Sequence, residues 1–249
     1  MKSEFSAINK KAWDYKSYDY WLKKYGKPQD FANMITAKKE QIVERYLPYM
    51  DLENERQSIL NIGGSKGKVA LALTLLGHKV TIVDISEDGK QYALETAKYL
   101  DVKLDYINAD ILDAKFNNEY DIVFMSIGVL HWFENLEKLL AVINLALKPG
   151  GTLVICDFHP LLKVLYPVDG KIMDYFDTKP FWGDMPYAKY YENENFPKGL
   201  YKEHTLSNII NTIIGAGFNI CRFDEYPFHD EKIPCKFIIK AKKIMSDSR

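Results

Sequence analysis

Cysteine is scarce in this 249-residue chain: Cys156, Cys221 and Cys235 are the whole set, and no Cys-x-x-Cys pair occurs. An odd, scattered set excludes a disulfide framework and a thiolate zinc site, and no metal site is expected. Two of the three fall inside apolar strand patterns, where buried free thiols are ordinary. An excess of one charge is lacking as well. Lys and Arg total 33 against 34 Asp and Glu, a net charge of −1, which leaves no basic footprint for nucleic acid or an anionic membrane. No apolar run reaches membrane-spanning length. The first residues, with Lys2 and Glu4, lack the apolar stretch of a signal peptide, so a cytoplasmic protein is expected. Internal repeats and low-complexity segments are absent. What remains is a chain that is 47% hydrophobic, enough for a substantial core, and long enough for one large α/β domain or two small ones.

The stretch from Ile59 to Ser86 organises the rest. A short apolar run (Ile59, Leu60, Ile62) stops at a glycine cluster, a helical pattern follows from Val69 to Leu76, and Gly77 closes it. A second apolar run, Val80 to Val83, ends on Asp84. This is a β-α-β unit with a glycine-rich first turn and an acid at the tip of its second strand. Gly63, Gly64 and Gly67 permit a sharp turn and let a ligand approach bare backbone whose N–H groups open the helix. Asp84 lies 21 residues beyond Gly63, where an acid accepts hydrogen bonds from both hydroxyls of a ribose. A nucleoside-containing ligand is predicted.

Glycine spacing narrows its identity. A phosphate-binding loop needs four residues between its glycines and then Lys-Ser/Thr; here three separate Gly63 from Gly67, and Val69 follows Lys68. A dinucleotide fingerprint would need glycine where Ser65 and Lys68 stand. The pattern left, Asn61-Ile62-Gly63-Gly64-Ser65-Lys66-Gly67, resembles motif I of the class I S-adenosylmethionine-dependent methyltransferases, small-molecule type. It departs from that motif at two places: Asn61 stands for the usual acid and Ser65 for the middle glycine. Ser is small, and the Asn amide oxygen still accepts a hydrogen bond, but the ligand's amino group loses a charge partner. The resemblance implies S-adenosylmethionine as cofactor, S-adenosylhomocysteine as product, and a cofactor site of Asn61, Gly63, Gly64, Ser65, Gly67, Asp84, Ile85, Asp110, Ile111 and Ser126. In it the Asp110-Ile111 pair sits beside the adenine, whereas on the residues alone Asp110 reads equally as a strand-end or helix-cap acid. The resemblance also implies that the aromatic opening segment, with Trp13 and Tyr20, folds over the cofactor, Tyr20 touching its methionine end; an aromatic lid packed on the core is the other reading of the same residues.

The remaining chain extends the likeness. Phe31 to Tyr46 reads as a helix ended by Pro48, Asp88 to Leu100 as another, and Lys103 to Asn108 as a third strand. Tyr120 to Ser126 is a fourth strand, and the loop after it, Ile127 to Phe133, falls where open α/β sheets bind ligands. His131 there faces a substrate as candidate general base, or else is held structurally by loop backbone. Glu134 to Leu147 is a helix stopped by Lys148-Pro149-Gly150-Gly151, a turn into a fifth strand, Thr152 to Cys156. Residues 158 to 201 then hold eleven aromatics in 44 positions, against 14% in the whole chain, too apolar for a solvated linker. They read as an inserted lid whose aromatic cage holds a planar or cationic acceptor; a homodimer interface is the other reading of the same stretch. Candidate substrate contacts are Trp132, His159 and Trp182. A helix capped by Thr205 and two closing strands, Phe218 to Tyr226 and Lys236 to Ala241, complete the pattern.

The expected fold is α/β: a Rossmann-like, seven-stranded, mostly parallel sheet with helices on both faces and an antiparallel last strand. Residues 1–50 form an aromatic arm and helix, 51–157 the cofactor-binding core, 158–204 the lid, and 205–249 the completion of the core. The implied activity is methyl transfer to a small-molecule acceptor, with oxygen, nitrogen and carbon all open. The alternative is a non-catalytic binding protein of the same fold, its cofactor site weakened at Asn61 and Ser65; an oxidoreductase is disfavoured by the glycine spacing.

Overall fold

A computed structural model describes residues 4–52, 56–165, 174–191, 194–227 and 232–245. Two helices, α1 (Glu4–Trp13) and α2 (Ser17–Tyr25), precede α3 (Pro28–Val43). The central unit is β1 (Ser58–Ile62), α4 (Lys68–Leu75), β2 (Lys79–Asp84), α5 (Glu87–Tyr99) and β3 (Asp105–Asn108). Next come β4 (Tyr120–Met125), α6 (Leu136–Ala146) and β5 (Leu147–Phe158). The insert contributes α7 (Leu162–Leu165), β6 (Phe181–Gly183) and β7 (Gly199–Tyr201), and the chain closes with α8 (Leu206–Gly215), β8 (Phe218–Pro227) and β9 (Pro234–Lys243). Of the insert, residues 166–173 and 192–193 lie outside the described residues.

One seven-stranded sheet runs β3-β2-β1-β4-β5-β9-β8. The first five strands pair in parallel, and β9 lies antiparallel between β5 and β8. Side-chain alternation explains why these strands read as continuous apolar runs. Ile59, Ile82, Ile122, Phe124 and Val154 pack on one face against α3, α4 and α5. Leu60, Val83, Val123, Met125 and Leu153 pack on the other against α6 and α8. A strand covered on both faces has no polar side to alternate with.

Caps fix the helix starts. Ser86, Asn135 and Thr205 accept from the backbone N–H of Gly89, Lys138 and Asn208 at 3.0, 2.8 and 3.2 Å. Each such cap contributes about 1 kcal/mol. The Lys148-to-Gly151 turn does not stand apart from the fifth strand. Leu147 already pairs with Tyr120, and a bulge takes up the slack before Thr152 pairs with Ile122.

The arm is tied down on two sides. Asn9 of α1, buried, bonds the backbone of Leu200 in β7 twice, donating at 2.9 Å and accepting at 2.7 Å. At its other end, Asp14 accepts from the N–H of Glu87 and Asp88 accepts from that of Tyr18, which fastens the arm to the start of α5. The sheet order changes direction at β1, between β2 and β4, so the crevice opens at the carboxyl ends of these three strands, under the arm.

Candidate functional site

A cavity of about 500 Å³ occupies that crevice. Its floor is the glycine turn. Gly63, at φ 64°, donates to the Val83 carbonyl at 2.9 Å. A Cβ on Gly64 would lie 2.8 Å from both Asn61 Oδ1 and Ile82 Cγ2, so only glycine lets the chain pass here. Ser65 adopts φ 48°, and two neighbours hold its backbone: its N–H donates to Asp84 Oδ2 at 2.9 Å, and its carbonyl accepts from the Tyr106 hydroxyl at 3.1 Å.

Asp84 ends β2 and faces the cavity. Its second oxygen accepts from the N–H of Ser86 at 2.9 Å. Burial pushes this carboxyl above the ordinary range, against the pull of the two backbone donors. Each oxygen keeps a lone pair for a further donor. Asp110 uses one oxygen to accept from Leu112 N–H at 2.9 Å, which caps the turn after β3 and places Ile111 against the cavity. Asn61 is buried, and its amide N–H donates to the Phe124 carbonyl at 3.2 Å. The amide oxygen accepts no hydrogen bond among the described residues.

All ten cofactor residues implied by motif I and the strand ends, except Gly67, line this cavity: Asn61, Gly63, Gly64, Ser65, Asp84, Ile85, Asp110, Ile111 and Ser126. Gly67 is buried just beneath, where its φ of 78° starts α4. Tyr20 is not at the cavity. It is buried in a stack on Tyr187, with ring centroids 5.3 Å apart, and beside Tyr190. Its neighbour Trp21 takes the cavity wall instead, because adjacent residues of a helix point about 100° apart. Trp132 lines the cavity, its indole N–H donating to the Gly128 carbonyl at 3.0 Å and its ring packing edge-on to Trp13 at 5.3 Å.

Sequence reasoning missed the cationic wall. Arg45, which follows α3, and Lys66 and Lys68, on the glycine turn and the start of α4, all line the cavity. Lys66 lies 4.2 Å over the Trp21 ring; burial, with Lys24 and Lys68 nearby, pulls it down to about 7. Burial, with Lys24, Lys38 and Arg45, also lowers Lys68. The buried Trp21 Nε1 donor has no partner among the described residues. Lys66 stood inside the motif itself, and a cation among three glycines was the available signal.

Two of the remaining candidates, His131 and His159, line a second cavity of about 480 Å³ on the other side of the loop after β4. His131 lines it, packed between Trp132 and Tyr201 at 4.8 and 5.3 Å; burial lowers it to about 4, so it is neutral at pH 7. His159 also lines it, but its Nδ1 accepts from Leu161 N–H and its Nε2 lies 2.9 Å from Glu225. Trp182 reaches neither cavity and is 58% exposed on β6. Among the described residues no cluster of His, Cys, Asp or Glu is placed to hold a metal ion, and no helix is long and apolar enough to cross a membrane.

The profile of a methyltransferase-domain family matches residues 60–155, from β1 through β5. A ubiquinone biosynthesis O-methyltransferase of Rickettsia bellii is 24% identical over 210 residues, covering 82% of this chain and 80% of that protein. Among solved structures, an S-adenosylmethionine-dependent methyltransferase from Mesorhizobium loti aligns with a TM-score of 0.64 at 20% identity, over 81% of this chain and 97% of the other. A magnesium protoporphyrin IX methyltransferase from Synechocystis, with bound S-adenosylhomocysteine, aligns at 0.64 and 16% identity over 96% and 100%. The fold is that of these enzymes. Residues 60–155, the sheet half that carries the crevice, match the methyltransferase-domain family, and the whole fold is that of the class I S-adenosylmethionine-dependent methyltransferases.

Proposed function

We propose that this chain transfers a methyl group from S-adenosylmethionine to an oxygen of a small-molecule acceptor. The observation that carries the reading is the polarity of the first cavity: β2 and the turn after β3 give it acids, while the end of α3 and the start of α4 give it cations. That division suits a ligand with a hydroxylated nucleoside at one end and an amino-acid carboxylate at the other. Asp84 receives the ribose hydroxyls, and Asp110 with Ile111 borders the adenine. The free amide oxygen of Asn61 takes the ammonium group, and Arg45 and Lys66 take the carboxylate. The bound cofactor supplies a methyl group already activated by its sulfonium, so the protein's task is alignment and exclusion of water. Trp13 and Trp132 supply the cover, held by the bonds that tie α1 to β7. Oxygen as the methylated atom rests on the O-methyltransferase relatives. The near-zero net charge gives no reason to add nucleic acid or a membrane surface as partner.

One observation favours a second reading. Asn61 is a neutral amide where the family has an acid, so a binding protein with a weakened cofactor site is the alternative. Calorimetric titration with S-adenosylhomocysteine, with NAD in parallel, separates the two. Saturable one-to-one binding of S-adenosylhomocysteine alone is expected, and its release is then followed with hydroxylated acceptors. Absence of binding, restored by Asn61→Asp, would favour the weakened site; binding of NAD alone would overturn both readings.

A further inference from the structure

The second cavity lies against the first with one loop between them. Gly128 lines the first, and a Cβ on it would sit 3.3 Å from Phe158 Cε2 and 3.9 Å from His131 Cε1, both of which line the second. Leu130 and His131 face the second cavity while Trp132 and Phe133 face the first. The second cavity is therefore within a residue's thickness of the cofactor crevice, yet its walls come largely from the insert and the chain leading to α8.

Those walls are apolar and flat. Phe158, 45% exposed, opens toward it, and Phe181 stacks on Tyr201 at 5.7 Å and 19°. Among the polar groups, most are already engaged. Asp157 accepts from the backbone N–H groups of Gly128, Val129, Leu130 and Phe158 at 2.7–3.0 Å. His204 Nε2 bonds the Phe133 carbonyl at 2.9 Å, and Lys163 Nζ donates to the Asp177 carbonyl at 3.1 Å. His159 accepts from Leu161 N–H through Nδ1, while its Nε2, 2.9 Å from Glu225, makes no hydrogen bond among the described residues.

Glu203 is different. Its carboxylate lines the cavity, accepts no hydrogen bond among the described residues, and has Lys163 as its nearby counter-charge. A carboxylate only accepts, so in an apolar chamber the ligand must bring the donor. An ammonium ligand would meet Lys163 as well as Glu203, which favours a neutral hydroxyl as that donor.

We propose that the second cavity is a ligand site of its own, taking a flat apolar molecule whose hydroxyl donates to Glu203. His131 is then a wall of that site, and the insert sets which ring system enters.

The test uses the full chain and 2-naphthol, with 2-methoxynaphthalene as the same ring without the donor. Affinity is read by quenching of tryptophan fluorescence. Wild type should bind 2-naphthol saturably and prefer it about tenfold to a hundredfold, the span expected for one hydrogen bond to a charged group. Glu203→Leu should abolish the preference, and Glu203→Gln, which keeps an acceptor oxygen, should restore part of it. Both variants should bind S-adenosylhomocysteine as wild type does. Failure of 2-naphthol to bind, equal binding of the two probes, or a preference that survives Glu203→Leu in a protein that melts as wild type overturns the proposal. Normal 2-naphthol discrimination with no S-adenosylhomocysteine binding would instead refute the methyl-transfer reading and leave the ligand site at Glu203 standing, whereas the reverse pattern sinks that ligand site alone.

Discussion

Replacing Asp84 with alanine is the sharpest perturbation of the cofactor site. Each carboxylate oxygen already receives one backbone N–H, from Ser65 and from Ser86, both at 2.9 Å. One lone pair per oxygen is left, enough for the two ribose hydroxyls and no more. Hydrogen bonds to a charged acceptor contribute about 1.5–3 kcal/mol each, and a pair sharing one acceptor adds less than twice that. A loss of about 2–4 kcal/mol is expected, roughly a 30- to 1,000-fold rise in the dissociation constant of S-adenosylhomocysteine. Asp84→Asn keeps one acceptor oxygen but sets its NH₂ against a backbone donor or a hydroxyl, so it should fall between alanine and wild type.

The same residue gives a pH signature. Burial raises this carboxyl above its ordinary range, and ligand hydroxyls favour its ionised form, so the bound pKa lies below the free one. Binding must then release a proton on the acid side, and affinity should fall on acidification in wild type but not in Asp84→Asn. Calorimetry at several pH values, with melting curves as a folding control, reads both effects. Alanine binding within threefold of wild type, in a protein that melts at the same temperature, would refute the assignment.

Three further outcomes are expected. Lys66, near 7 when free, should be driven to its charged form by a ligand carboxylate, so binding takes up protons above pH 7 and weakens as pH rises to 8.5. Lys66→Met should remove that uptake, and a wild type showing none in buffers of differing ionisation enthalpy would contradict the placement. Gly64→Ala drives a methyl to 2.8 Å from Asn61 and Ile82, which should cost about 1–3 kcal/mol of stability and most cofactor affinity; denaturant melts within 0.5 kcal/mol of wild type would falsify the close-approach argument. His131→Ala should weaken 2-naphthol binding while leaving S-adenosylhomocysteine affinity unchanged, since the ring lines only the second cavity, and an equal loss of cofactor binding would place it wrongly.

The fold was legible wherever local chemistry and burial agreed. β1, β2, β4 and β5 are covered on both faces, and that alone makes them apolar runs in the chain. Asp84, Asp110 and the glycines were readable because their positions depend on main-chain turns at the ends of β1, β2 and β3. Side-chain direction was not readable where no rigid frame fixed it. Tyr20 and Trp21 are adjacent aromatics in α2, and only the packing of Tyr187 and Tyr190 decides that the tryptophan reaches the cavity. Trp182 was expected to touch substrate because it is aromatic and in the insert; on a two-stranded ribbon paired through Leu200, it points to solvent.

The two cavities differ in legibility for a physical reason. A cofactor cradle built from backbone N–H groups demands glycines and a strand-end acid at fixed spacing, so it leaves a contiguous trace. The second cavity draws on residues from Leu130 to Lys236, joined only by tertiary packing, and its chemistry depends on which polar groups the fold has already engaged. Asp157 stands at the end of a strand beside a ligand loop, the position where an acid reads as functional. Yet four backbone N–H groups occupy it, and its role is to hold Gly128 to Leu130 in place. Glu203 sits in no motif, just ahead of a helix cap, and is the carboxylate of that cavity without a hydrogen-bond donor among the described residues. Residue type and position rank these two acids one way, and the hydrogen-bond accounting of the folded chain reverses the order.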